Sequence, residues 1–80
     1  MADPKPRVLI VEDDALVALE MVDVIRGCGC VPVGPVATVA AALNIVQVEP
    51  VTAAVLDVNL GDEHVWPVAD ALDARDVPYV

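Results

Sequence analysis

The stretch VTAAVLDVNLG, residues 51–61, decides the fold of this chain. Residues 53–56 form an uninterrupted apolar run, which is typical of a strand buried on both faces in a parallel sheet covered by helices. Asp57 ends the run, and a polar turn that contains Asn59 and Gly61 follows. In open parallel sheets, ligands bind outside the carboxyl ends of the strands. The stretch therefore predicts a central strand with a carboxylate at the functional edge of the sheet.

A second apolar run, RVLIV at residues 7–11, also ends in acidic residues, which are Glu12, Asp13 and Asp14. If the two runs are neighbouring strands, Glu12, Asp13 and Asp57 converge at one edge of the sheet. Carboxylates that lie this close repel one another unless a cation is present. Oxygen ligands of this kind suit Mg²⁺ or Mn²⁺, held by few protein groups and several waters. The pattern predicts a divalent metal site, and helix capping by each acid is the structural alternative.

Residues 15–27 predict the first helix. Its expected apolar face follows the 3.6-residue period of an α-helix. That face consists of Val17, Met21, Val24, Ile25 and Cys28. Leu16 and Leu19 fall on the opposite, polar side, where they are either a contact surface or singly exposed apolar residues. Gly27 and Gly29 are expected to end the helix.

The rest of the chain alternates strands and helices. Pro32 cannot donate a ladder hydrogen bond, so the short strand 31–34 is predicted at a sheet edge. Thr38 is expected to cap the second helix, and Pro67 to lie in the first turn of the third. The expected core residues of these helices are Val39, Ala42, Leu43, Val46, Val65, Val68, Ala69 and Leu72. Residues 77–80 begin a fourth strand, and the β-α-β-α-β-α-β order predicts an α/β doubly wound parallel sheet.

Composition limits the function classes. The 80 residues suffice for one small domain, residues 1–80, and the 58% hydrophobic content excludes a disordered chain. The net charge of −9, with only four basic residues, provides no electrostatic footprint for nucleic acid or an anionic membrane surface. The sequence has no uninterrupted apolar stretch long enough to span a membrane. Because the start MADPKPR has no hydrophobic signal region, a cytoplasmic location is predicted.

The cysteines, the histidine and the tryptophan carry weaker signals. Cys28 and Cys30 form a C-x-C pair, but a structural zinc site needs four ligands and the sole histidine, His64, is far along the chain. We interpret the pair as small apolar residues at a helix end. His64 has no paired group to orient it as a base. Trp66 is either a partner anchor or a cover for the third helix.

The motifs VLIVEDD at residues 8–14 and AAVLDVNLG at residues 53–61, with this spacing, resemble the receiver domain of two-component response regulators. The resemblance runs from Arg7 to Val80. It implies a flavodoxin-like fold, with a five-stranded parallel sheet of order 2-1-3-4-5 and five helices. This chain is expected to hold the first two-thirds of that fold and to stop after the start of the fourth strand.

The resemblance also implies a role for each acidic residue. Asp57 matches the aspartate that accepts a phosphoryl group from a histidine kinase or a phosphotransfer protein. Asp13 would bind Mg²⁺ (or Mn²⁺) directly and Glu12 through water, and Asn59 would bind it with its backbone carbonyl. The chain would then be a signalling phosphoacceptor, in a family that catalyses its own phosphoryl transfer and dephosphorylation, and not an enzyme for other substrates.

Three departures from the family pattern affect these expectations. Leu60-Gly61 stands where the family commonly has Met-Pro, so the loop before the third helix is expected to be unusual. The family's hydroxyl residue after the fourth strand and its lysine after the fifth would both lie beyond Val80. Without these two residues, the switching of the family domain is in doubt for this chain.

Two other function classes and one further partner follow from the same residues. A pseudo-receiver would be an acidic interaction or dimerisation module that never takes phosphate. A metal-dependent hydrolase that forms an aspartyl-phosphate usually places its nucleophile in an Asp-x-Asp pattern on the first strand, which Glu12-Asp13-Asp14 does not match. Because a fourth strand without cover would be an exposed apolar edge, the chain is expected to pair with a second copy as a homodimer, to exchange elements with it, or to be completed by further residues.

Overall fold

The computed structural model describes residues 5–80. Its elements are β1 (Arg7–Val11), α1 (Ala15–Gly27), β2 (Val31–Val36), α2 (Val39–Val48), β3 (Ala53–Leu56), β4 (Asn59–Leu60), β5 (Glu63–His64) and α3 (Trp66–Asp73). The prediction about the start MADPKPR falls largely on residues 1–4, which lie outside the described residues. Among residues 5–80, no helix has the length and apolar character needed to cross a bilayer.

The main sheet is parallel and has the strand order β2-β1-β3. Residues 78–80 continue it beside β3, where Tyr79 forms a parallel bridge with Ala54. The Leu56 N–H donates to the Val80 carbonyl at 2.8 Å, and the Val80 N–H donates to the Ala54 carbonyl at 3.1 Å. The doubly wound α/β class and the order 2-1-3-4 are therefore confirmed, with β2 at the predicted edge.

A single apolar core fills the space between one face of the sheet and helices α2 and α3. Its fully or nearly buried members are Leu9, Val11, Val33, Ala42, Val46, Ala54, Leu60, Val65, Val68 and Leu72. The predicted stripes of both helices are confirmed, since their residues are either in this cluster or packed against it, apart from Ala69, which is buried outside it. The predicted cap is also present, because Thr38 Oγ1 accepts from the Ala41 N–H at 3.2 Å.

The predicted face of α1 is wrong, although the bounds of the helix are right. The residues that α1 buries are Ala18 and Val22, whereas Val17 and Val24 of the predicted stripe are 37% and 62% exposed. Most positions of this helix are apolar, so the pattern does not define one face. The small Ala18 lets the helix backbone approach the sheet closely, so Ala18 and Val22 face the sheet, and Val17 and Val24 are left outside.

The β3 strand is less buried than its apolar run predicts. Ala54 is 2% exposed, but its neighbours Ala53, Val55 and Leu56 are only partly buried. Alternate side chains of a strand point to opposite faces of the sheet. Ala54 points to the α2–α3 side, and Val55 points to the α1 side, where a shallow apolar depression joins it to Met21 of the helix. In the described part of the chain, α1 is the one helix on that side.

A two-stranded hairpin between β3 and α3 was not predicted. β4 and β5 pair antiparallel, Asn59 with His64 and Leu60 with Glu63. Gly61 has a φ of +61°, the left-handed conformation that two-residue hairpin turns require. The predicted polar turn is therefore present, but Leu60 within it is buried in the core at 4% exposure.

Strand β2 is longer than predicted, because it continues beyond Gly34 after a shift in its register with β1. The pairing of β1 with β2 shifts between Leu9 and Val11, and β2 continues to Val36. Gly34 has a φ of +95°, and a Cβ there would lie 2.9 Å from the Val36 nitrogen and 3.1 Å from the Ile10 carbonyl oxygen. Only glycine fits this position without strain.

Candidate functional site

The parallel pairing of β1 with β3 brings the acidic residues together. Val11 lies opposite Leu56, so Glu12 and Asp57 leave the sheet at the same edge. The Asp57 N–H donates to the Val11 carbonyl at 2.9 Å, which extends the ladder to the site itself. One carboxylate oxygen from each of Glu12, Asp13 and Asp57 lies within 4.8 Å of the others. The structure thus brings together the three carboxylates that the sequence singles out.

Glu12 is the most enclosed of the three carboxylates, at 9% exposure. Its backbone N–H donates to the Val36 carbonyl at 3.0 Å, and its Oε1 accepts from the Asp14 N–H at 3.1 Å. Burial raises the pKa of Glu12 above its ordinary value, and the nearby charges of Asp57 and Asp13 raise it further. The hydrogen bond from Asp14 opposes this rise in part. Ionised Glu12 is therefore less favourable in this site than in water, and a nearby cation would offset that cost.

The capping alternative applies to Asp14 and not to Asp13. Asp14 Oδ1 accepts from the N–H groups of Leu16 and Val17 at 3.0 and 3.2 Å, so Asp14 is the N-cap of α1. Asp13 is exposed, and its carboxylate belongs to the acidic cluster. The two adjacent acids thus have different roles: Asp14 stabilises the helix, and Asp13 lies with the acidic cluster at the edge of the sheet.

The β4–β5 hairpin lies against the acidic cluster at two points. The Asn59 N–H donates to Asp57 Oδ1 at 3.4 Å, a long hydrogen bond that holds the start of the hairpin beside this carboxylate. At the turn, a Cβ added to Gly61 would lie 3.9 Å from Asp13 Oδ2, so the turn passes near this carboxylate. Sequence reasoning singled out Asn59 but missed the approach of Gly61 to Asp13. The Gly61-Asp62 pair is the local sequence signal for the turn of this hairpin.

The three carboxylates suit a small divalent cation. Opposite ligands of an octahedral Mg²⁺ lie about 4.2 Å apart, so small side-chain rotations bring oxygens within 4.8 Å of one another into range. Within residues 5–80, the one ion pair joins Arg7 to Glu49 at 3.1 Å, at the opposite end of β1. No basic side chain of the described range forms an ion pair with the cluster. The donor set, the spacing and this uncompensated charge therefore fit Mg²⁺ or Mn²⁺.

The remaining candidate residues do not form a second site with polar partners. His64 is exposed in β5, and Trp66 is 56% exposed at the start of α3. Cys28 is exposed and Cys30 is half-buried, and both are free thiols. The Cys30 thiol lies 3.9 Å from the Cys28 carbonyl oxygen, as expected for small residues just beyond a helix end. Trp66 is thus not the cover for the third helix that the sequence allowed.

Comparisons with known proteins give the family through structure. No protein-family model matches the sequence, and no curated protein matches it significantly. The solution structure of SdrG from Sphingomonas melonis Fr1 matches 94% of the chain at 47% identity with a TM-score of 0.86. The BeF3-activated conformation of SdrG from Pseudomonas melonis Fr1 matches 92% at 49% identity, with a TM-score of 0.77. The non-phosphorylated HemR receiver domain from Leptospira biflexa matches 94% at 25% identity, with a TM-score of 0.81.

The chain spans 64% of the length of each SdrG chain and 61% of the HemR receiver domain. The matches extend over nearly all of this chain. The chain is similar to the receiver domains of response regulators in fold and in sequence.

Proposed function

We propose that this chain is a phosphoacceptor of a two-component system and that Asp57 takes a phosphoryl group from a histidine kinase or a phosphotransfer protein. The observation that carries the proposal is the convergence of Asp57 with Glu12 and Asp13 at the carboxyl edge of β1 and β3. The Asp57 carboxylate, which lies at a strand end beside the acidic pair Glu12 and Asp13, can serve as a nucleophile once a cation balances the negative charge.

The step is a transfer between two nucleophiles. A carboxylate oxygen of Asp57 attacks the phosphorus of a phosphohistidine, so that an O–P bond forms while the P–N bond of the donor breaks. The released imidazole nitrogen keeps the electron pair and takes a proton from solvent. A bound Mg²⁺ would neutralise charge on the transferring oxygens.

The chain's own residues prepare Asp57 for this step. The long hydrogen bond from the Asn59 N–H to Oδ1 restricts the rotation of the Asp57 carboxylate. Asp13, which is exposed, and Glu12, which is buried, would hold the metal from the β1 side, and the Asn59 carbonyl would hold it from the hairpin side. Because three carboxylates repel an anionic donor, these residues act only together with the cation.

Incubation with acetyl phosphate and Mg²⁺ tests the proposal. We expect the intact mass of the chain to increase by one phosphoryl group, and the increase to be absent in EDTA and in Asp57→Asn. An increase retained by Asp57→Asn would remove Asp57 from this role. No increase in the wild-type chain would favour the pseudo-receiver, which binds partners but takes no phosphate.

Two further expectations stay predictions. A cytoplasmic location follows from the proposed partners, because histidine kinases of these systems deliver the phosphoryl group inside the cell. Pairing of two copies is expected to appear in sedimentation equilibrium of the 80-residue chain as a mass above that of the monomer. A single monomeric species at micromolar concentration would contradict it.

A further inference from the structure

The hairpin that borders the acidic cluster is attached to helix α2 by one side chain. Glu63 of β5 accepts a hydrogen bond from the backbone N–H of Val39, at 3.3 Å between Oε1 and the nitrogen. Val39 is the first residue of α2, and its N–H is one of the groups that a helix cannot satisfy internally. The first turn of α2 carries no acidic residue of its own, so Glu63 supplies a negative charge to this helix end from a distant part of the chain.

A hairpin of this size needs such attachments. Each of its strands has two residues, and an isolated pair of short strands is not stable in water. The buried side chain of Leu60 fixes one strand to the core, and Glu63, its partner in the pairing, fixes the other strand to α2. The same hairpin places the Asn59 N–H on Asp57 and the turn at Gly61 beside Asp13.

We infer that Glu63 is a positioning residue for the metal and phosphoacceptor site. It acts through the hairpin, because its bond to Val39 holds the backbone of Asn59 and the turn at Gly61 against the carboxylates. The inference rests on the proposed function, since it concerns the same cation. The inference goes beyond the proposed function because it assigns a role to a residue that lies outside the acidic cluster and contacts none of its carboxylates.

Asp62 provides a matched control. It neighbours Glu63, is exposed and carries the same charge, so Asp62→Ala reports how far the loss of one nearby negative charge weakens cation binding. Glu63→Gln provides the conservative variant, because its amide oxygen can still accept from the Val39 N–H. Asp62→Asn is its counterpart. Glu63 is exposed, so none of these substitutions removes a core residue.

Two measurements on the 80-residue chain test the inference. In a titration followed by Trp66 fluorescence, we expect Glu63→Ala to bind Mg²⁺ about two- to tenfold more weakly than Asp62→Ala. A factor of this size corresponds to the free energy of one exposed hydrogen bond. Glu63→Gln should bind like Asp62→Asn. Without metal, the Val39 amide should exchange faster in Glu63→Ala than in Asp62→Ala, and Glu63→Gln should restore its protection.

The outcomes separate this inference from the function on which it rests. A wild-type chain that shows no saturable Mg²⁺ binding overturns the metal site itself. If the wild type binds, equal affinities for Glu63→Ala and Asp62→Ala overturn the positioning role. Unchanged exchange at the Val39 amide in Glu63→Ala overturns the attachment of the hairpin to α2, whatever the metal does.

Discussion

Glu12 and Asp57 leave adjacent parallel strands at the same edge of the sheet, and their carboxylate oxygens lie within 4.8 Å of each other. Glu12 is buried at 9% exposure, whereas Asp57 is half-buried. Burial, and then the nearby charge of Asp57, raise the pKa of Glu12 and make its ionised form less favourable. The pair thus costs stability in the absence of metal and provides binding energy when a cation arrives.

The first prediction concerns the pH dependence of stability. The pKa of Glu12 is raised above its ordinary value of 4.5, mainly by burial, so the folded chain binds this proton more tightly than the unfolded chain. The stability from this group is present below pH 4.5 and is lost as the pH rises through the raised pKa. In EDTA at pH 7, Glu12→Gln should therefore have a higher free energy of unfolding than wild type, measured by urea unfolding. The difference should be about 1.4 kcal/mol for each unit by which the pKa of Glu12 differs between the folded and unfolded chain.

The difference between Glu12→Gln and wild type should shrink as the pH falls towards 4. Glu20→Gln, an exposed substitution of the same chemistry on α1, is the control and should show no such trend. A Glu12→Gln difference that is constant from pH 4 to pH 7 would mean that Glu12 titrates normally in the folded chain.

The second prediction tests the buried face of α1. Val22 is 8% exposed and Val24 is 62% exposed, and they lie two residues apart on the same helix. Val22→Ala should lower the free energy of unfolding by about 1–3 kcal/mol through lost burial and a residual cavity. Val24→Ala should change it by less than about 0.5 kcal/mol. Urea unfolding of both variants measures these two changes. Equal losses of unfolding free energy would mean that Val24 is as buried as Val22, as the helical period predicts.

The third prediction concerns the register shift between β1 and β2. Gly34→Ala should destabilise the fold by more than about 1 kcal/mol, because the site has a φ of +95° and a Cβ would meet backbone atoms at 2.9 and 3.1 Å. Gly27→Ala is the control, since a Cβ at the last residue of α1 has open space around it. That substitution should be neutral or stabilising by up to about 1 kcal/mol. Urea midpoints that fall equally in both variants would contradict the account of Gly34.

The fourth prediction concerns the metal ligands. Asp13→Asn should weaken Mg²⁺ binding by about tenfold or more, since even the loss of an outer-shell partner costs that much. Asp14→Asn removes the same charge one residue away but keeps a good helix cap, so it should bind nearly as wild type does. Trp66 fluorescence at the start of α3 reports both titrations. Equal weakening in the two variants would indicate a diffuse electrostatic effect without a defined ligand at Asp13.

The sequence predicts the parts of this fold in which one pattern dominates. The apolar runs ending at Val11 and Leu56 define two strands, and the acids after them define the candidate site. The stripe of α3 is predicted correctly because its buried residues Val68, Ala69 and Leu72 follow the helical period. These are the elements in which a local pattern and tertiary packing require the same residues.

Other parts depend on packing that no local pattern records. The helix α1 is apolar at most positions, so the face chosen by Ala18 and Val22 follows from the distance to the sheet. The β4–β5 hairpin has strands of two residues, too short for any periodicity, and it is formed by the burial of Leu60. The attachment of Glu63 to Val39 joins residues 24 positions apart. Each of these features exists only in the assembled fold.

The central claim is that Asp57 accepts the phosphoryl group, and chemical mapping of the modified residue tests it most directly. Borohydride reduces an aspartyl phosphate to homoserine, which peptide mass spectrometry assigns to one position. After incubation of the wild-type chain with acetyl phosphate and Mg²⁺, we predict homoserine at position 57 alone, and none in EDTA. Homoserine at position 13 or at another aspartate, or equal labelling of position 57 without Mg²⁺, would contradict the account.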